Sequence, residues 1–152
     1  MKIKNQILRK SLVALSIFIF YAFPIFPEEK EKIWHYEKLT IRENPEKRPK
    51  AIQQEFIPEG GKLLYSTEFR GSFGDSIESV LIFSHSFDLV ALNLFYELVL
   101  KNLEWKILQK DIQDKKSVYL AEGPARRMVT ILLTDEKEYR SIKIFLKKAM
   151  LF

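Results

Sequence analysis

A serine–histidine–serine tripeptide is the part of the sequence whose residue types come closest to hydrolytic chemistry. Ser84, His85 and Ser86 place two hydroxyl groups beside an imidazole. A catalytic serine–histidine pair needs side chains that converge and a third group that orients the base. Neighbouring residues at a strand end point to opposite faces of the sheet, which argues against such a pair within the tripeptide. We therefore expect no catalytic residues, and the alternative is a small hydrolase or ligand-binding enzyme with His85 as its base.

Metal and cofactor chemistry has little support in the residue inventory. The chain has two histidines, His35 and His85, and no cysteine. This excludes disulfides, thiolate–zinc sites and a cysteine nucleophile. The glycine-containing loop at 71–76 (GSFGDS) lacks the Gly-Lys-Ser/Thr of a phosphate-binding loop and precedes a strand, so it predicts a hairpin loop. We expect neither a metal nor another cofactor.

A group of basic residues in the C-terminal part of the chain is the candidate binding surface. Residues 101–152 carry 12 basic and 7 acidic side chains. Such a surface would attract lipid headgroups, acidic polysaccharide or an acidic protein. The alternative is that these side chains form the solvated side of half-buried strands. The candidate surface, which includes one aromatic residue at a loop tip, consists of Phe73, Arg126, Arg127, Arg140, Lys143 and Lys147.

The first 27 residues have the order of an export signal. Residues 1–10 are basic, residues 11–26 are uncharged and apolar, and charge returns at Glu28. This order is typical of a secretory signal peptide. No pair of small residues marks a cleavage site, so a short, uncleaved membrane anchor is the alternative. In both cases we expect the rest of the chain in the periplasm or cell envelope; an uncleaved segment would contact the inner membrane through residues 11–26.

The remaining chain divides into an irregular segment and one domain. Residues 28–55 contain a charged stretch interrupted by Pro45 and Pro49, which predicts an irregular, partly mobile segment with one short strand at 39–42. Residues 56–150 are expected to form a single α+β domain. Four of the basic residues behind the net charge of +5 lie in the first 27 residues, so the domain itself is nearly neutral.

The pattern of apolar residues predicts the elements of this domain. Strands are expected at 62–70 and 76–84, then a helix at about 87–103, then strands at 105–110, 118–122, 128–134 and 140–148. Asn93, Glu97 and Lys101 recur every four positions and predict one solvent-facing stripe on the helix. Short connections imply antiparallel pairing. The predicted fold class is α+β, with the order β-β-α-β-β-β-β. An antiparallel sheet of about five to six strands has one long amphipathic helix packed on one face.

Several runs resemble parts of the small exported α+β domains found in many uncharacterised bacterial envelope proteins. The first run is 57–66 (IPEGGKLLYS), and the helix brings Phe95-Tyr96 before Leu103-Glu-Trp105. The last hairpin would join 129–133 (VTILL) to 141–145 (SIKIF). The resemblance covers about residues 57–148. It implies a fold and an exported location, and it supplies no functional residues.

Together these features predict an exported, non-catalytic domain that binds a protein or an envelope component. Exposed edge strands would allow a partner strand to join the sheet. Two alternatives remain: the enzyme that uses His85, and an accessory subunit tethered to the membrane by residues 11–26. Nucleic acid is not expected as a partner, because an exported domain does not ordinarily meet it.

Overall fold

A single antiparallel sheet dominates the computed structural model, which describes residues 29–71 and 76–148. The expected signal or anchor at 1–27 and the loop residue Phe73 lie outside the described residues. The one helix of the described chain, α1, spans Leu89–Asn102. The eight strands are β1 (Lys32–Tyr36), β2 (Leu39–Glu43), β3 (Lys62–Arg70), β4 (Ser76–His85), β5 (Lys106–Gln113), β6 (Lys116–Gly123), β7 (Arg127–Asp135) and β8 (Arg140–Lys148).

The strands lie in the order β1-β2-β3-β4-β8-β7-β6-β5, and every neighbouring pair is antiparallel. After β4 the chain passes through α1 and enters β5 at the far edge of the sheet. It then returns through β6 and β7 until β8 pairs with β4. The meander predicted from the short connections is therefore present, and it closes on the first four strands through β8.

The predicted α+β fold class is wrong in the number of strands and in how much of the sheet the helix covers. The chain is mostly β, with eight strands rather than five to six, and its helix of 14 residues does not extend across a whole face of the sheet. Two strands within 28–55 join the sheet: β2, which was predicted as a short strand at 39–42 outside the domain, and β1, which was not predicted. A two-stranded hairpin is marginal alone. These strands gain a third partner when Leu39 pairs with Phe69 on β3, a contact between distant parts of the chain that local pattern does not reveal.

The core lies between the sheet and α1. Every second residue of the central strands faces the helix, as Ile131 and Ile144 do from directly opposite positions on β7 and β8. Leu92 and Tyr96 meet them from α1, and Phe56 adds cover from a single turn of 3-10 helix at Gln54–Phe56. The side of the sheet that faces α1 is the helix face, and the opposite side is the open face. No helix of the described chain packs on the open face.

The helix is rotated relative to the orientation that its polar stripe predicts. Asn93 is buried, and its Oδ1 accepts a hydrogen bond from the Tyr119 hydroxyl at 2.8 Å. Glu97 receives the Lys110 ammonium group at 2.6 Å. The predicted solvent stripe is therefore wrong for Asn93, because the hydroxyl that β6 brings into the core needs an acceptor. Glu97 stays partly exposed and Lys101 is exposed, as predicted. The apolar side chains exposed on α1 are Val90, Leu94 and Leu98.

Candidate functional site

His85 has a structural position at the end of β4. Its Nδ1 accepts a hydrogen bond from the Phe87 backbone N–H at 2.9 Å, and its Nε2 lies 2.8 Å from the Glu59 carbonyl oxygen. A backbone N–H can only donate and a carbonyl can only accept, so the imidazole is the neutral tautomer with its proton on Nε2. Both ring nitrogens are thereby used to hold the loop at Glu59 and the turn before α1.

The hydroxyl groups on either side of His85 do not converge on it. Ser84 pairs with Ser141 and lies on the open face, whereas His85 points to the helix face. Ser86 lies beyond the strand and is exposed. The N-cap of α1 is Asp88, whose side chain accepts a hydrogen bond from the Ala91 N–H at 2.7 Å. The tripeptide is a strand-to-helix turn in which no hydroxyl is activated.

The basic residues of the candidate surface lie on different faces of the sheet and in different elements, and they do not form one surface. Lys143 and Lys147 lie on the open face of β8. Arg140 is on the helix face, where its Nε lies 3.0 Å from an Asp135 carboxylate oxygen. The Arg127 guanidinium group lies over the Trp105 ring at 5.5 Å, and Arg126 is exposed in the 3-10 turn that precedes β7. Of the five basic residues, only Lys143 and Lys147 share a face and a strand.

The open face carries an uncharged row that crosses seven strands. The strand register places one residue from each strand directly opposite the next. Trp34 is 40% exposed at one end, and Phe145 is 42% exposed near the middle. This central row consists of Trp34, Ile41, Thr67, Val80, Phe145, Thr130 and Leu120.

Charged residues lie in the two rows on either side of the central row, and most have a partner. On one side the Lys147 ammonium group lies 3.0 Å from Glu78. On the other side Lys32 lies 3.0 Å from Glu43. Lys143 is different, because among the described residues it has no ion pair and no hydrogen bond. It is half-buried, and Ile82 and Leu132 are its cross-strand neighbours.

Two depressions follow the central row. One, of about 330 Å³, includes Trp34 and Ile41 in its lining. The other, of about 280 Å³, includes Val80, Thr130 and Phe145. Both have an aromatic side chain in the lining and at least one charged residue at the rim. Their positions make the open face a surface with room for an elongated apolar group.

A larger depression lies away from the open face and has a different character. It has a volume of about 440 Å³ and lies beside the loop that follows β2. Arg48 in its lining is already tied to Gln54 and to the carbonyl oxygens of Pro49 and Ile52. Arg48 therefore holds the loop together, and the other two cations of the lining are Lys47 and Lys50.

The described part of the chain has neither a metal-binding cluster nor a membrane-spanning helix. Within residues 29–71 and 76–148, no three histidine or carboxylate side chains lie close enough together to hold a metal ion. No helix in these ranges has the length and apolar character needed to cross a membrane. No protein-family model matches the chain, and no curated protein matches it.

The central row could not be read from the sequence. It takes one residue from each of seven strands, and β8 is inserted between β4 and β7, so its members are scattered along the chain. The available signal was the apolar content of both faces of 80–83, which indicates a strand covered on both sides. The structure covers the helix face of these residues and leaves Val80 and Ile82 half-exposed on the other.

Proposed function

We propose that this chain is an exported, non-catalytic domain that binds an envelope component or a protein on the open face of its sheet. The observation that carries the proposal is the central row, an uncharged row across seven strands in which Trp34 and Phe145 are exposed and the other side chains are half-buried. Contiguous apolar surface of this kind on a monomeric domain is typical of an interaction site. Within the described part of the chain no helix covers this face, so it is available to a partner.

The absence of a catalytic role is supported by the surroundings of His85. A general base needs a free nitrogen within hydrogen-bond reach of the proton that it removes. Both nitrogens of His85 are bound to backbone groups, and neither Ser84 nor Ser86 contacts them. The alternative of a hydrolase that uses His85 therefore has no geometric support.

Site-specific photocrosslinking in cells tests the proposal with the full chain. A benzophenone side chain at Phe145, on the central row, should give an adduct, either a lipid-sized mass increase or a crosslinked protein. The same substitution at Leu94, which is 59% exposed on the outer side of α1, is the matched control and should give little adduct. Equal yields at the two positions, or no adduct at Phe145, would contradict the proposal.

A further inference from the structure

Lys143 has no ion-pair partner among residues 29–71 and 76–148 and lies beside an uncharged row, and this combination indicates the chemistry of the ligand. Resting on the proposed function of the open face, we propose that this face binds a single-chain anionic amphiphile such as a long-chain fatty acid. The Lys143 ammonium group contacts the carboxylate, and the acyl chain lies along the central row. A half-buried ammonium group among apolar neighbours is stabilised when an anion completes its hydrogen bonds.

The dimensions of the central row give the direction of the acyl chain. Lys143 precedes Phe145 by two residues on β8, so their side chains are neighbours on the open face. From Phe145 the row continues over four strand spacings to Trp34, about 19 Å, and over only two to Leu120, about 10 Å. The longer arm accommodates a long acyl chain. The tail therefore ends near Trp34, where the depression of about 330 Å³ lies.

The charge of Lys143 also discriminates against two other occupants. The apolar segment at 11–26 has no acidic residue, and the ten residues before it carry four basic and no acidic side chains, so the segment itself would supply no counterion to Lys143. A second copy packed open face to open face would bring its own Lys143, while Glu43 and Glu78 are already paired. Glu122, a further carboxylate of this face, lies on the opposite side of the central row from Lys143. Burial of an unpaired charge at such an interface is costly.

A bilayer surface fits this face less well than a single chain does. To lie on a membrane, the domain would have to bring the flanking carboxylates of Glu43, Glu78 and Glu122 against the lipid together with the central row. A single acyl chain touches only the uncharged row and leaves these side chains in water. The structure therefore favours one monomeric amphiphile over a membrane surface.

Quenching of Trp34 fluorescence by brominated amphiphiles tests this inference on the full chain. Trp105, the other tryptophan, is buried beneath α1, so contact quenching reports on Trp34. The probes are a fatty acid brominated near its end and its uncharged methyl ester, both below their aggregation concentrations. Lys143→Gln is the test variant. Lys147→Gln is the matched control on the same strand and face, and Trp34→Phe removes the reporter.

We expect the acid to quench Trp34 and to bind about tenfold or more tightly than the ester. Lys143→Gln should remove this preference, whereas Lys147→Gln should change affinity by less than about threefold. Equal binding of acid and ester, unchanged by Lys143→Gln, would overturn the inference and leave the open face as a binding surface. Failure of both probes to quench Trp34 would overturn the inference. It would also exclude such amphiphiles as the envelope component that the proposed function places on the open face. Quenching by phosphatidylglycerol vesicles without quenching by the monomeric acid would replace the single chain by a membrane surface.

Discussion

The Tyr119 hydroxyl donates a hydrogen bond to Asn93 Oδ1 across 2.8 Å, and this contact joins α1 to β6. Glu97 lies one turn further along the helix and accepts a hydrogen bond from the Lys110 ammonium group on β5. The side of α1 that faces the sheet also carries Leu89, Leu92, Tyr96 and Leu100, while Leu94 and Leu98 point outward. The hydrogen bond thus satisfies the two polar groups that this mostly apolar contact buries.

Removal of the Tyr119 hydroxyl should destabilise the fold. Tyr119→Phe leaves the buried Asn93 amide without its donor, and we expect the free energy of unfolding to fall by about 1–2 kcal/mol. Urea denaturation measures this loss. In the double variant Tyr119→Phe with Asn93→Leu, both polar groups are absent, and part of the loss should be recovered. A double variant whose loss equals the sum of the two single losses would show that the contact does not couple the helix to the sheet.

The elements that could be predicted from sequence are those defined by local pattern. Ile142, Ile144 and Leu146 alternate with lysines and phenylalanine, and β8 has the face that this alternation predicts. Strand β1 and its pairing with β2 were not predicted, because this hairpin depends on β3, which is remote in sequence; a short strand at 39–42 was predicted. The central row depends on the order of the strands in space, so Lys143 could be predicted as a surface cation but not as a neighbour of this uncharged row.

Alkaline pH should destabilise the protein through two tyrosines. Burial raises the pKa of Tyr96 well above its usual value, and burial together with the nearby Glu97 carboxylate raises the pKa of Tyr119. The folded protein keeps these phenolic protons, whereas the unfolded chain releases them above about pH 10. The free energy of unfolding should therefore be unaffected by them below about pH 10 and fall as the pH rises further.

Unfolding in urea at a series of pH values, with tyrosinate absorbance recorded in parallel, measures this effect. Tyr119→Phe removes one of the two groups and should make the decline above pH 10 shallower. Ionisation of all six tyrosines at about pH 10 in the folded protein would show that Tyr96 and Tyr119 are accessible to solvent.

The C-terminus of α1 offers a stabilising substitution. The backbone N–H of Trp105 donates to the Leu100 carbonyl at 2.8 Å, and the backbone N–H of Glu104 donates to the Lys101 carbonyl at 3.1 Å. This is the Schellman arrangement, whose left-handed position favours glycine. Glu104 occupies it with a φ of 58°. Glu104→Gly should raise the free energy of unfolding by about 1 kcal/mol in urea denaturation, because glycine adopts this conformation without strain. Glu104→Ala also removes the carboxylate but keeps a Cβ, and an equal gain there would assign the effect to charge.

The tautomer of His85 is a direct check on its structural role. The two backbone contacts require a neutral ring with the proton on Nε2. Nitrogen chemical shifts of the folded full chain should therefore show a protonated Nε2 and an unprotonated Nδ1 at neutral pH. The exposed His35 provides an internal comparison. A His85 ring protonated on Nδ1, or one that exchanges freely between tautomers, would reopen the role of His85 as a base.

The most direct test of the open face is to place a charge in the central row. Val80 and Thr130 lie directly opposite Phe145 on the two neighbouring strands. With the crosslinker at Phe145, Val80→Glu and Thr130→Glu should each abolish the adduct in cells, whereas Leu94→Glu on the helix should leave it unchanged. Circular dichroism of each variant establishes that the sheet is intact. An adduct that survives both substitutions in folded protein would show that the central row is not where the partner binds.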